Sequence, residues 1–247
     1  MISKGNAVVA RPLRSFQNQR FAVYLALCLL MAAIVIVGFT PTYFGPLFSG
    51  VVDKQPVIHF HGALYSGWMM FFTAQALLPA FGRVDLHMKL GRIGIGYAVL
   101  LVAVGLITTF NQFANFISAD QVAVAERQLL GPLSDMVVFP VFFAAAVAYR
   151  RKPEIHKRLM LVATVMLLIA AVGRMAFLGS SPPLALRLGI WLSPIYLAMA
   201  YDFFTRRLIH PVYVIGMAVL TVVAMRGNIR DSDVWLNIAG WFTRLFS

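Results

Sequence analysis

Seven stretches of this chain are apolar over the length needed to cross a bilayer, about 17–25 residues. They run over 21–39, 58–81, 93–112, 132–149, 158–178, 188–204 and 210–226. Hydrocarbon offers no water to satisfy a peptide group, so a stretch of this kind must close its hydrogen bonds internally, as a helix. The composition agrees. It is 60% hydrophobic and 12% charged, where a soluble domain is about 45–50% apolar and about 25% charged. The expected fold is an all-α polytopic membrane bundle of seven transmembrane helices in one domain. The sequence Gly38-Phe39-Thr40-Pro41 offers no small-x-small cleavage site, so the first stretch reads as an anchor, not a signal peptide.

The net charge of +12 would suggest nucleic acid in a soluble protein. Here the cations cluster between the apolar runs and act as a topology signal, so no nucleic-acid partner is expected. The N-terminal segment and the loops at 83–92, 150–158 and 206–207 hold most of the Lys and Arg. The alternate loops hold only Lys54, Arg127, Arg187, Arg226, Arg230 and Arg244. The N-terminus is therefore expected in the cytoplasm and the C-terminus outside. Residues 1–20 read as a basic cytoplasmic segment, 21–226 as the membrane domain and 227–247 as a periplasmic amphipathic helix on the outer interface. In that last segment Val234, Trp235, Ile238, Trp241, Phe242, Leu245 and Phe246 recur with helical period. Packing on the protein's own outer loops is an equal alternative.

Two opposite charges interrupt the apolar runs. Asp135 lies near the outer start of span four and Arg174 near the outer end of span five, each expected roughly 5–8 Å below the boundary. Intramembrane charges usually face the bundle interior and pair. On span two, His61, Tyr65, Trp68, Phe72 and Gln75 form one stripe, whereas His59 points about 200° away from His61. Asn111 and Gln112 close span three on the same side. The candidate ligand-binding set is His61, Tyr65, Asn111, Asp135 and Arg174. It reads either as a helix clamp or as a polar cavity with His61 titratable and Arg174 anchoring an anion. No metal site is expected, since two histidines on one helix turn diverge and no second strong ligand set is near.

At the inner ends stand His87, His156 and His210. The first two open similar entries, Leu86-His87-Met88-Lys89-Leu90 and Ile155-His156-Lys157-Arg158-Leu159, a weak internal repeat. Two histidines from different helices at one depth are what a low-spin haem b takes as axial ligands. His87 with His156 is the preferred pair and His210 a substitute. The plainer reading is a set of headgroup-level anchors. Pro140 and Pro194 should kink their helices. Gly91, Gly94 and Gly96 suit close helix contact. Asp202 is expected to pair locally with Arg206 or Arg207. Cys28 is single, and no catalytic triad, phosphate loop or paired catalytic carboxylates can be assembled.

These motifs carry a resemblance. The order of an outer-end His on span two, Arg83-x-x-x-His87-x-Lys89-Leu90-Gly91-Arg92, Asp135, His156-Lys157-Arg158-Leu159-Met160 and Arg174 resembles a group of bacterial multi-pass membrane proteins of unknown function. In those, a His-Arg-Arg-Leu-Gly-Arg entry and a His-Arg-x-Met entry open two helices, and an Arg closes the second. The likeness covers about residues 57–178, with Lys89 in place of an Arg and Leu159 where the group often has Trp. The second entry also looks like those of cytochrome-oxidase assembly membrane proteins, and loosely of cytochrome b561-type proteins, whose haem histidines lie within helices. The resemblance implies a protein of the bacterial inner membrane and no particular activity. The functional expectation is a non-enzymatic accessory or assembly protein of a membrane redox complex, or a binder of a small ligand in the outer polar layer. A haem b electron carrier and a small-solute transporter are the alternatives.

Overall fold

The computed structural model describes residues 10–51, 54–179 and 183–246, with side chains from Phe21 onward. Among the described residues there is no strand. Helix α1 (Ala10–Phe39) continues through a π-helical turn, Thr40–Phe44, into the short α2 (Gly45–Phe48). Then follow α3 (Pro56–Leu77), α4 (Val84–Ser118), α5 (Val122–Ala148), α6 (Pro153–Leu167) and α7 (Ile169–Val172). The chain ends with α8 (Leu184–Trp191), α9 (Ser193–Arg206), α10 (Pro211–Ala224) and α11 (Asp233–Phe246). Pro56, Pro153, Pro194 and Pro211 each stand in the first turn of a helix, where a missing N–H leaves no bond unmade.

Among the described residues, five helical segments are long and apolar enough to cross a bilayer: Phe21–Phe48, Val84–Ser118, Val122–Ala148, Pro153–Val172 and Pro211–Asn228. A sixth is added if α8 and α9, bent by 62°, count as one span. The bend falls just before Pro194, as a proline there predicts. Pro140, in contrast, lies inside a continuous α5. The expected seventh span, α3, has 22 residues, but His59, His61, Ser66, Thr73 and Gln75 dilute its apolar content. Outward-facing Leu29, Val99, Ile107, Val137, Val141 and Val222 are each more than half exposed. Apolar surface repeated over so many helices suits a lipid solvent.

Consecutive helices fold back through short turns. One end of the bundle, here called proximal, carries the turns at 82–83, 149–152 and 207–210. The distal end carries 119–121 and 225–232. Helix α6 is the most enclosed: Leu161, Val162, Ala163, Thr164, Val165 and Met166 are all buried, the mark of a helix apolar on every side. It shares one buried core with Met31 of α1, Leu101 of α4, Phe139 of α5, Leu192, Ile195 of α9 and Leu220 of α10. Trp191 is buried beside it and donates its indole N–H to the Val165 carbonyl at 2.7 Å. Trp191→Phe removes that bond from a dry interior, so stability falls by about 1–2 kcal/mol, read as a lower thermal midpoint in detergent.

Helices α4 and α5 run well past the apolar stretches expected for them. Polar residues such as Glu126, Arg127 and Gln128 extend a helix as readily as apolar ones when its backbone bonds are made, so hydropathy underestimates the distal ends. The extended hairpin seats α11. Trp235 and Ala239 join Phe113, Ala125 and Leu129 in a second small core. The Trp235 indole donates to the Glu126 carbonyl at 2.8 Å, and Phe242 and Phe246 pack against Phe110. The adjacent stripe of α11, Val234, Ile238, Trp241 and Leu245, stays exposed. The tail therefore packs on the chain's own distal hairpin and still presents a second apolar stripe.

Candidate functional site

A cavity of about 760 Å³ opens between α1, α3, α4, α5, the α6–α7 segment and the turn after α10. It is bounded by residues 58–69 of α3, 105–116 of α4 and 125–136 of α5. Eleven steps at 1.5 Å per residue give about 16 Å of depth along each helix. Two irregular segments complete the wall. The π-helical turn supplies Thr42, Tyr43 and Phe44, and the α6–α7 break supplies Leu167, Leu168 and Ile169. The break is set by Leu168, whose N–H bonds to Val165 at 3.0 Å, one residue short of the α-helical ladder.

The α3 stripe is realised. Trp68, Phe72 and Gln75 are the buried residues of that helix. His61 stacks on Tyr65, with centroids 4.1 Å apart and planes at 21°. The Tyr65 hydroxyl donates to the Leu101 carbonyl at 3.0 Å. Gly105 allows this: a Cβ there would collide with Met136 Sδ and lie 2.6 Å from the Tyr65 hydroxyl. His59 turns to the opposite side, its Nδ1 3.0 Å from the Tyr43 hydroxyl. Three buried polar atoms of side chains lining the cavity, His61 Nδ1, Trp68 Nε1 and Thr108 Oγ1, have no hydrogen-bond partner among the described residues. A buried N–H or O–H left unbonded costs about 1–3 kcal/mol, so such groups are retained where something else meets them.

The expected Asp135–Arg174 pair is not formed. Asp135 is thirteen residues into α5, about 20 Å from its start, because α5 begins at Val122. The partner of Asp135 Oδ1 is Arg226 Nη1, which also donates to Ser134 Oγ at 2.6 Å and to the Gly131 carbonyl at 2.9 Å. The turn after α10 brings Arg226 across a sequence gap of 91 residues. Sequence reading placed Arg226 among the outer loop charges, and no local spacing links it to Asp135. Arg174 lies beyond α7, in the following turn. Its Nη1 donates to the Ala170 carbonyl at 2.7 Å, and its guanidinium carbon lies 5.1 Å from the centre of the Phe39 ring. Among the described residues it has no carboxylate partner. Asp135, Arg174 and Arg226 all line the same cavity. Asn111 does not, since its amide oxygen accepts from Asn115 at 3.4 Å, and Gln112 takes its place in the wall.

The proximal end holds a charge network that sequence reading missed. Arg158 is 1% exposed and is held by both carboxylate oxygens of Asp202, at 2.6 to 2.9 Å. Glu154 bonds Arg158 at 2.8 Å, Lys157 at 2.9 Å and Arg206 at 2.7 Å. Asp202 was expected to pair with Arg206 or Arg207. The Arg206 pair is present at 3.8 Å, but the closer partner is Arg158, because Asp202 is on the buried face of α9 and Arg158 reaches it from α6. The guanidinium also stacks 5.4 Å from the Tyr213 ring centre.

The proximal histidines do two jobs. His87 Nδ1 lies 3.0 Å from the Gln75 carbonyl and His156 Nδ1 lies 2.8 Å from the Ala146 carbonyl. Each thus fastens the start of one helix to the end of the preceding one, which is the geometric content of the repeated motif. Their rings meet edge to face with centroids 6.3 Å apart, within the ordinary range for such pairs. Neither His87 nor His156 lines the distal cavity. His210 stands apart and caps α10, its Nδ1 accepting from the Val212 N–H at 3.3 Å. Burial first, then the positive field of Arg158, holds His210 below its ordinary pKa. A depressed histidine stabilises the fold fully above its unfolded pKa, and that contribution is lost as pH falls through the folded one. His210→Gln should therefore flatten the loss of thermal stability between about pH 7 and 5, measured by melting at a series of pH values.

Among the described residues no group of three or more His, Cys, Asp or Glu lies close enough to hold a metal ion. Comparison with protein-family models, with curated proteins and with solved structures found no match.

Proposed function

We propose that this chain is an integral membrane protein that binds a small organic ligand in its distal cavity. The observation that carries this reading is the set of three unpartnered polar groups on one wall, His61 Nδ1, Trp68 Nε1 and Thr108 Oγ1. The cavity's volume is within the usual range for ligand pockets, about 300–1,000 Å³. In this proposal α3 is the seventh span, its polar residues turned to the cavity and to the interior. The Lys and Arg excess at the proximal turns supports a cytoplasmic proximal end. The motif resemblance supports a bacterial inner membrane. The exposed stripe of α11 then rests in the outer headgroup region, where tryptophan is favoured.

The test is chemical. Solvent extraction of the purified protein, followed by mass spectrometry, should release a small molecule in stoichiometric amount. Thr108→Phe, which fills the wall, should release none. If both release nothing beyond bulk lipid, the binding reading is wrong. A second reading, a small-solute transporter, is favoured by one observation: two of the cavity's walls are interrupted helices, at Thr40–Phe44 and at Leu168. Broken helices line the sites of many transporters. Flux of the released molecule into proteoliposomes separates carriage from binding.

A further inference from the structure

We infer that the ligand is an amphipathic organic anion, its carboxylate or phosphate head on Arg174 and its apolar body running toward Trp68. This rests on the binding reading above and names the ligand's class. Among the described residues the cavity wall carries three cations, Lys54, Arg174 and Arg226, against one carboxylate, Asp135. The Arg226 charge is already spent on Asp135 and its neighbours. Arg174 has no counter-charge among the described residues, and one protein carbonyl occupies only one of its five N–H donors. A guanidinium in that condition matches a two-oxygen anion, which it holds through paired, charge-assisted bonds. The Phe39 ring lies against the guanidinium, 5.1 Å from its carbon, and holds it by a cation–π contact that uses none of the remaining N–H donors.

The rest of the cavity is of a different character. On the continuous helix α3, Trp68 and Met69 line the wall seven and eight residues past His61, about 10–12 Å further along. A simple oxyanion would use the Arg174 end and leave this apolar depth without a partner. A neutral apolar molecule would fill the depth and leave the guanidinium unpaired. A molecule with an anionic head and an apolar chain satisfies both. The unpartnered Trp68 and Thr108 groups then meet a polar atom partway along the chain.

The protein has four tryptophans, so Trp191→Phe, Trp235→Phe and Trp241→Phe leave Trp68 as the only indole fluorophore. In nanodiscs, stearic acid carrying a doxyl spin label mid-chain should quench Trp68 saturably, and roughly tenfold more tightly than its methyl ester. Arg174→Met should bring the acid down to the level of the ester, and Arg174→Lys should keep part of the difference. The Thr108→Phe variant, or Ser66→Leu if the first does not fold, gives the baseline for partition into lipid. Equal saturable quenching by acid and ester would overturn the anionic head and leave the binding reading standing. Inorganic phosphate displacing the probe as well as dodecanoate does would overturn the amphiphile. Quenching that never exceeds the filled-cavity baseline would overturn the binding reading itself.

Discussion

Asp202→Ala lowers the stability of the folded protein by about 3–5 kcal/mol, the largest single effect expected in this chain. Arg158 is almost wholly enclosed and takes three of its bonds from the Asp202 carboxylate. Removing that carboxylate leaves a guanidinium buried with Glu154 as its remaining anion. The penalty comes from the stranded charge more than from the lost attraction, so the double replacement Arg158→Met with Asp202→Leu should recover most of it. Unfolding midpoints of the wild type, Arg158→Met, Asp202→Leu and the double variant in one detergent complete the cycle. A loss under about 1 kcal/mol for Asp202→Ala would place this pair with weak surface ion pairs. The structure also explains why the cost is high at this position: α6 is the most enclosed helix, and the network ties it to α9.

Gly38→Val comes second. A Cβ at Gly38 would lie 2.6 Å from the carbonyl carbon of Ala171 and 2.8 Å from its Cα. The obstacle is backbone, which cannot rotate aside as a side chain can. Helix α1 must then move off α7. Overpacking of this kind costs about 1–3 kcal/mol and more where nothing can yield. Phe39 and Arg174 stand next to this contact, so the same variant should weaken ligand retention. Gly38→Ala gives a smaller shift of the same sign. A midpoint unchanged in Gly38→Val would show that the close approach of α1 and α7 is wrong. Gly216 is the useful contrast, since a Cβ there meets only the side chain of Val162 and the neighbour can shift.

Much of the helical layout was legible because apolar length is a direct physical requirement of a bilayer. The α3 stripe from His61 to Gln75 was legible for a similar reason, since helical phase fixes which side chains share a face. Pairing across the fold was not. Asp135 and Arg174 were matched because their spans are sequence neighbours, but Asp135 finds Arg226 from a turn far along the chain. Asp202 was matched to its local arginines and does pair with Arg206, but tertiary packing adds the closer Arg158, which local spacing does not show. Helix ends were misjudged where polar residues prolong α4 and α5 past the apolar runs. The near-identical anchoring of His87 and His156 was half legible. The motif repeat was visible, whereas the carbonyls that receive each ring, on Gln75 and Ala146, lie across turns that spacing alone does not define.

The central claim is that the distal cavity is a ligand site. The measurement that bears on it most directly is an experimental density map of the wild-type protein in a lipid nanodisc, at a resolution that separates side chains. Non-protein density is expected within hydrogen-bonding distance of Arg174 and of at least one of His61, Trp68 and Thr108. A map in which Tyr65 and Met136 have closed into the space, with those polar groups bonded to one another or to the chain, would contradict that claim.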